Sequence, residues 1–332
     1  MVAGEHQKNT IRLRLAKDML RALGFVAHNG RYALVIGLIA GLLLPGVALS
    51  MRPWLPHMII FLLFLTAFRV GVKATVEGFS DFHGALKITL IYQLAMPLVA
   101  LGIFAAFGIT ATPFAIAILL MLTAPSLTGG PNITILLGHD PEPAFRILIA
   151  GTAVLPLTLI PVFLLSPDLG GLVPILTAAL KLLAAIWVSV LLAFLARHLM
   201  SPHLEQDKTD AIDGFMAITL AVVVIGLMSA LGPAIRTDPL LVLKWLVVAM
   251  VANLGLQTVT YYTLRALGKS KNAVPFAVVA GNRNFALFLI ALPAATTEPL
   301  LIFLGCYQVP MYLSPILMKF IYQSKSNKKN GI

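Results

Sequence analysis

The sequence predicts an all-α integral membrane protein with ten transmembrane helices, arranged as two inverted repeats of five helices. Three observations lead to this fold class. First, 59% of the 332 residues are hydrophobic and 11% are charged, against about a quarter charged in a soluble domain. Second, the apolar residues form continuous stretches, and a membrane-spanning helix needs about 20 of them. Third, two of the stretches carry similar polar interruptions, separated by almost half the chain.

Ten apolar spans account for most of the chain. We predict them at residues 31–50, 55–74, 86–108, 112–138, 143–165, 172–197, 211–231, 239–264, 272–296 and 299–322. The first five form one repeat at 31–165 and the last five a second repeat at 172–322, and no segment resembles a separate soluble domain. A short tail follows at 323–332.

A basic segment at 1–30 precedes the first span. Basic and apolar residues are interleaved in it, so it is either an amphipathic helix on an anionic leaflet or a solvated basic tail. It does not have the form of a cleaved signal peptide, because the first long apolar run comes late and is long enough to span a bilayer.

The positions of the basic residues predict that both ends of the chain are cytoplasmic. With the first residue inside, 19 of the 24 Lys and Arg residues fall on the cytoplasmic side, as the positive-inside rule requires. The net charge of +11 therefore belongs to helix ends and tails, and we do not expect nucleic acid as a partner. We expect the lipid bilayer of a cell (inner) membrane as the surroundings; the sequence does not indicate an oligomeric state.

Spans four and nine are each broken by polar and helix-breaking residues. The first break (124–132) reads APSLTGGPN, and the second break (280–284) reads AGNRN. Both contain Gly-x-x-Asn, and Asn284 follows Asn132 by 152 residues. Five spans per half give the halves opposite topology, and matched interruptions in two such halves indicate a transporter binding site. The alternative is a pair of unrelated kinks.

These breaks, together with the YQLAMP motif at 92–97 in span three, resemble the bile acid:sodium symporter family over nearly the whole chain. The resemblance implies that spans four and nine cross at their unwound centres, at the membrane midplane. It also implies that a core of spans three to five and eight to ten moves against a panel of spans one, two, six and seven. The implied cargo is bile acids and other organic anions, usually carried with sodium.

The resemblance also implies positions for sodium ligands, and most of them are replaced. The family's glutamate, glutamine and serine at the breaks, and its Ser and Thr in span five, correspond to Val279, Arg283, Pro131, Phe145 and Ile149. The residues that remain are Asn132, Asn284 and Gln93, of which Asn132 and Gln93 are the candidate ion ligands. Because a hard cation prefers oxygen ligands that include a carboxylate, the sequence argues against two sodium sites of the family type. No other cofactor is expected.

Catalytic chemistry inside the membrane is also not expected. All 13 acidic residues and all 7 histidines map to tails, loops or span ends. The predicted spans therefore contain neither a proton relay of acidic and histidine side chains nor a cluster of metal ligands. These observations argue against a membrane enzyme.

Arg283 is the most informative residue, because it places a guanidinium group inside the second break. A buried guanidinium does not deprotonate and costs several kcal/mol unless it is paired or hydrated. Three roles are compatible with this position. Arg283 can bind an anionic substrate through two hydrogen bonds, supply a fixed positive charge where relatives bind sodium, or tie the broken ends together through backbone carbonyls.

The neighbouring amides are expected to shape the same site. Asn132 and Asn284 either brace the unwound backbone or face the substrate, and Asn282 is expected to help shape the substrate site. Gln93 is either a ligand or an interhelical hydrogen bond. Asn253 and Gln257 lie four residues apart on span eight, so they share a helix face. They are the candidate counterpart of Gln93 in the second half.

The sequence thus predicts a secondary transporter of organic anions, either bile-acid-like molecules or small carboxylates, that works by alternating access without clear support for sodium coupling. Two alternatives are kept. One is a sodium-coupled symporter of the family type. The other is a membrane receptor or partner subunit that binds a ligand but does not transport it.

Overall fold

The computed structural model describes residues 14, 17–78, 82–166, 169, 171–200 and 205–323. These residues form helices and short helical turns, and an isolated β-bridge is their one extended pairing. The predicted all-α class is therefore confirmed for this part of the chain. The tail at 324–332 and residues 1–13, 15 and 16 of the basic N-terminal segment lie outside the described residues.

Seven helical stretches in the described residues are long and apolar enough to cross a membrane. They are Pro45–Gly78, Phe82–Ala106, Glu142–Leu164, Leu172–Met200, Gln206–Thr237, Pro239–Ala266 and Ala294–Tyr322. A helix pair, Lys17–His28 and Tyr32–Leu43, bends by 81° and makes an eighth if it is one span. The chain is therefore a helical multi-pass membrane protein, with fewer continuous spans than the ten that the sequence predicts.

The helices follow the predicted spans closely. In the first half they are α1 (Lys17–His28), α2 (Gly30–Leu43), α3 (Pro45–Met51), α4 (Leu55–Gly78), α5 (Phe82–Leu90), α6 (Met96–Ala106), α7 (Pro113–Thr123), α8 (Gly130–Leu136) and α9 (Glu142–Leu164). In the second half they are α10 (Leu172–Met200), α11 (Gln206–Leu227), α12 (Leu231–Thr237), α13 (Pro239–Ala266), α14 (Ala273–Gly281), α15 (Phe288–Ala291), α16 (Ala294–Thr297), α17 (Leu301–Leu317) and α18 (Lys319–Gln323). A π-helical segment at Ile91–Ala95 joins α5 to α6.

Local sequence signals explain several helix ends. Thr112 caps α7, since its hydroxyl accepts a hydrogen bond from the Ala115 N–H at 3.2 Å. Asp238 caps α13 in the same way, accepting from the Leu241 N–H at 2.9 Å. A proline stands at the start of each of these helices, where its fixed φ angle suits the first turn and its missing N–H costs nothing. Each cap supplies an acceptor for an N–H that has no partner within the helix.

Interhelical packing groups the helices into two bundles. In the first bundle, α11 packs against α2, α3 and α4, and α4 also packs against α10. In the second bundle, α13 packs against α14 and α17, α5 against α9, and α14 against α8 and α9. The bundles meet where α10 packs against α9 and α15, and where α4 packs against α15. The broken helices lie in the second bundle.

Candidate functional site

The two breaks lie against each other. Residues 124–129 of the first break and 282–284 of the second are non-helical, and Ser126 and Arg283 form an isolated antiparallel bridge. The Leu127 N–H donates to the Asn282 carbonyl at 2.8 Å, and the Asn284 N–H donates to the Pro125 carbonyl at 2.8 Å. Each break thus satisfies backbone groups that the other loses from its helix, as an apolar environment demands. The expected contact between the two breaks is confirmed.

The Arg283 side chain joins the two broken helices. It is 1% exposed. Its Nε donates to the Ala280 carbonyl at 2.9 Å, near the end of α14, and its Nη1 donates to the Ala124 carbonyl at 3.2 Å, just beyond the end of α7. Carbonyls at a helix end lack partners inside the helix and carry the negative end of its dipole. The guanidinium therefore has the tying role that was one of the three readings.

An aromatic ring completes part of the guanidinium's surroundings. The Arg283 Cζ lies 5.0 Å from the centroid of the Tyr92 ring, within the range of a cation–π interaction, which is worth about 2 kcal/mol or more when desolvated. The Tyr92 hydroxyl donates to the Phe276 carbonyl at 3.2 Å, which holds α14 against the π-helical segment. Tyr92 belongs to the YQLAMP motif, but its contact with Arg283 was not predicted; its place beside Gln93 in an apolar span was the available signal.

One nitrogen of Arg283 has no partner. Among the described residues, Nη2 is buried without a hydrogen bond, and no carboxylate lies within ion-pair distance of the guanidinium. A buried charged donor left without an acceptor costs more than the 1–3 kcal/mol typical of a neutral group. The unpartnered N–H is therefore suited to an acceptor oxygen from outside the chain, and the positive charge selects an anionic one.

Asn282 braces the second break. Its Nδ2 donates to the Val278 carbonyl at 2.9 Å, and its Oδ1 accepts from Asn253 and from Ser314, both at 3.2 Å. Asn253 also donates to the Gly281 carbonyl at 2.7 Å. Asn282 is fully buried and its polar groups are occupied by α13, α14 and α17. The sequence predicted Asn282 as a substrate-site residue, whereas the structure gives its amide a bracing role.

The same network extends along α13. Gln257 donates to the Asn253 Oδ1 at 2.7 Å and to the Ser314 hydroxyl at 2.9 Å, and it accepts from the Tyr322 hydroxyl at 3.1 Å. Asn253 and Gln257 thus share a face as the sequence predicted. Their partner Ser314 was missed, because one serine in an apolar helix carries no signal of its own.

Asn132 and Asn284 differ from Asn282. Asn132 lies in α8 and is exposed, and Asn284 is partly exposed. Within the described part of the chain neither side chain has a hydrogen-bond partner, although the Asn284 backbone is bonded to Pro125. The bracing of the breaks is therefore done by Asn253 and Asn282, and the amides of Asn132 and Asn284 are free to meet a partner from outside.

Gln93 forms an interhelical contact. It lies in the π-helical segment and is 1% exposed, and its Oε1 accepts from the Thr158 hydroxyl of α9 at 3.4 Å. Gly151 of α9 makes room for it, since a Cβ there would lie 2.6 Å from the Gln93 Nε2. A π-helical turn inserts an extra residue and changes the direction of the side chains it carries. Gln93 therefore holds α5 and α6 against α9, near the first break, since the same Cβ at Gly151 would lie 3.6 Å from the Pro125 Cβ.

Apolar residues occupy the position where the resemblance implies a sodium-binding glutamate. Val279 is fully buried and packs in a small cluster with Tyr92, Ala144, Ile147 and Ala280. Across the described residues there is no group of three or more His, Cys, Asp and Glu side chains that could hold a metal ion. The Arg283 guanidinium lies beside this cluster, against the Tyr92 ring.

No protein-family model matches the chain, and no curated protein matches it either.

Proposed function

We propose that the protein is a secondary transporter of organic anions and that Arg283 contacts the anion. The single observation that carries this proposal is the fully buried guanidinium, whose Nη2 lacks a partner among the described residues. It lies where two broken helices meet. A charged residue buried in a membrane protein, away from any carboxylate, is typical of a substrate or ion pathway.

The proposal includes ten membrane spans in two inverted repeats. The seven continuous stretches leave out the predicted spans four and nine and contain only the end of span one, within Pro45–Gly78. Each of these three spans is interrupted. Pro45 interrupts the first span between α2 and α3, and the two polar breaks interrupt spans four and nine. Helices of 11 residues or fewer cannot cross a bilayer alone, but α7 with α8, and α14 with α15 and α16, have the combined length to do so.

We propose alternating access as the mechanism, and the division into two bundles supports it. The predicted panel corresponds to the first bundle and the predicted core to the second, with the breaks in the core. Arg283 is buried in this conformation, so an anion reaches Nη2 when the bundles shift relative to each other. Because the guanidinium is a permanent charge beside the apolar Val279 cluster, we propose that binding does not require sodium. A sodium-coupled symporter and a non-transporting receptor are the alternatives to be tested.

The test is transport of radiolabelled carboxylates, from acetate to a bile acid, into proteoliposomes with and without sodium. We expect uptake without sodium by the wild type. Arg283→Gln should bind the anion at least tenfold more weakly, since a hydrogen bond to a charged group contributes about 1.5–3 kcal/mol. Arg283→Lys keeps the charge but not the planar fork and should retain partial binding. The matched control is Arg236→Gln, an exposed arginine at the end of α12, which should behave as wild type.

Two outcomes would overturn the proposal. Uptake that requires sodium and persists in Arg283→Gln would support the symporter with other ligands. An anion that raises the thermal unfolding temperature of the protein but is not taken up by the proteoliposomes would support the receptor.

A further inference from the structure

A cavity of about 460 Å³ lies between the two bundles, away from Arg283. The start of α4 and its preceding turn form one side, and the segment from α15 to the start of α17 forms the other. Five leucines make up much of its wall: Leu49, Leu55, Leu289, Leu292 and Leu301. Cavities of about 300–1,000 Å³ with mostly apolar walls and a few polar groups are typical of sites for small organic molecules.

One ion pair spans this cavity from bundle to bundle. The Arg52 Nη2 lies 2.9 Å from the Glu298 Oε1, and both residues line the cavity. The Arg52 side chain is 32% exposed and the Glu298 side chain is 59% exposed. The Glu298 carboxylate is thus the more solvated partner. It can leave Arg52 for water at a small cost in free energy, because an ion pair this exposed contributes little to stability.

The charge of a ligand for this cavity follows from its surroundings. Ala294, where the continuous helical stretch Ala294–Tyr322 begins, belongs to the lining, so the positive end of this helix dipole faces the cavity. A guanidinium also binds a carboxylate through two parallel hydrogen bonds. An anion therefore gains from Arg52 and from this helix end, whereas a cation has Glu298 alone.

We propose that this cavity, the Arg52 cavity, is a second binding site for amphipathic carboxylates, in which the ligand's carboxylate replaces Glu298 on Arg52 and its apolar body lies against the leucines. The identification of the ligand with a transported anion rests on the proposed function. The site then serves as a vestibule on the side of the membrane where Arg52 lies. When the ligand's carboxylate replaces that of Glu298, the ion pair that joins the two bundles at this contact is broken.

The cavity does not reach Arg283 in this conformation. Leu289 lines both the Arg52 cavity and a void of about 10 Å³ that Phe285 and Phe288 also line. That void is too small for any organic anion. Arg283 is not among the residues that line the Arg52 cavity, so the two sites are tested separately.

The experiment measures protection of a cysteine inside the cavity. Leu49→Cys is suitable because Leu49 lines the cavity and is 44% exposed, while the native Cys306 is 1% exposed. The full-length protein in nanodiscs is labelled with a water-soluble maleimide in the presence of 2-naphthoate, its neutral analogue 2-naphthalenemethanol, or acetate. We expect 2-naphthoate to slow labelling at least fivefold. The alcohol and acetate should need at least tenfold higher concentrations for the same protection, because the alcohol lacks the carboxylate and acetate lacks the apolar body.

Charge variants in the same Leu49→Cys background decide the role of the ion pair. Glu298→Gln removes the competing carboxylate and should lower the half-protecting concentration of 2-naphthoate about two- to fivefold, the range expected for an exposed ion pair. Arg52→Gln should abolish protection, and Arg236→Gln, an exposed arginine outside the cavity, should leave it unchanged. If 2-naphthoate protects the Arg52→Gln variant as well as it protects the Leu49→Cys protein without that change, the inference is overturned.

The two proposals fail in different ways. If Arg283→Gln transports as well as wild type while protection at position 49 still depends on Arg52, the proposed role of Arg283 is wrong and the Arg52 cavity stands. If transport depends on Arg283 but protection is independent of Arg52, the transporter stands and the Arg52 cavity is not a site for this ligand.

Discussion

At the scale of single residues, a buried charge could be recognised from the sequence but its partners could not. Arg283 was conspicuous because it interrupts an apolar span. Its acceptors are the carbonyls of Ala280 and of Ala124, which lies 159 residues away in the chain. Backbone carbonyls carry no side-chain signature, so nothing in the sequence distinguishes these two from their neighbours. The contact depends on how the two breaks pack.

The asparagines at the breaks show the same limit. All three were predicted to shape the substrate site, and the sequence could not separate asparagines that brace the backbone from asparagines that face the substrate. The structure does: Asn282 is fully buried with its polar groups occupied, while Asn132 is exposed without a side-chain partner among the described residues. The difference arises from tertiary position, since each residue follows a glycine by one to three places in a similar motif.

This difference gives a paired prediction. Asn282→Ala leaves the Asn253 amide and the Ser314 hydroxyl without one of their partners, so we expect it to lower the stability of the protein by about 1–3 kcal/mol. Asn132→Ala removes an exposed amide and should change stability by less than about 0.5 kcal/mol. Unfolding of both variants in the same detergent, followed by circular dichroism, measures the two effects. Equal loss in both would show that the break is not braced as described.

At the scale of helices, the two breaks were predictable, because glycine and proline interrupt apolar runs there. A π-helical segment and a kink in α4 were not predictable. The π-helical segment at Ile91–Ala95 has no composition of its own. The kink of α4 occurs at Gly71, which adopts φ 74° and ψ 170°. Arg197 of α10 donates to the carbonyls of Phe68 at 2.9 Å and Arg69 at 2.7 Å, just before that kink. A cation from another helix thus satisfies carbonyls that the kink frees.

Substitution of Gly71 tests this account of the kink. A Cβ at Gly71 would collide with the Arg197 guanidinium, and the positive φ is unfavourable for any side chain. We expect Gly71→Ala to destabilise the protein by about 1–3 kcal/mol. The control is Gly102→Ala in α6, where a Cβ meets nothing within 4 Å and alanine favours the helix. The thermal unfolding temperature of Gly71→Ala should be lower than that of the wild type, and that of Gly102→Ala should be equal to the wild-type value or higher. The reverse order would contradict the proposed strain.

At the scale of the whole molecule, hydropathy predicted where helices lie better than how many cross the membrane. The span predicted at 143–165 appears as α9 (Glu142–Leu164), and the span at 239–264 as α13 (Pro239–Ala266). Uninterrupted spans are easy to place, because the cost of burying polar groups in lipid sets their length. Spans four and nine consist of shorter helices joined by the breaks. Their assignment as membrane spans is part of the proposed ten-span topology.

Alternating access also makes a prediction at this scale. If transport requires the two bundles to shift, a link between them should stop it, and a link within one bundle should not. Arg52 and Glu298 form an ion pair between the bundles at 2.9 Å. Arg69 and Asp213 form one at 2.8 Å between α4 and α11, inside the first bundle. Each pair can be replaced by two cysteines and joined by a short bismaleimide, with little reaction at the buried Cys306.

We expect cross-linking of Arg52→Cys with Glu298→Cys to reduce transport at saturating anion by more than tenfold, relative to the same protein before cross-linking. Cross-linking of Arg69→Cys with Asp213→Cys should leave transport within about twofold of its starting value. Normalising each protein to its own unlinked state removes the effect of losing Arg52 from the cavity. Full transport by the protein linked between bundles would mean that they do not move apart at this contact. An anion would then have to reach Arg283 by local opening of the breaks, with the bundles staying together where Arg52 meets Glu298.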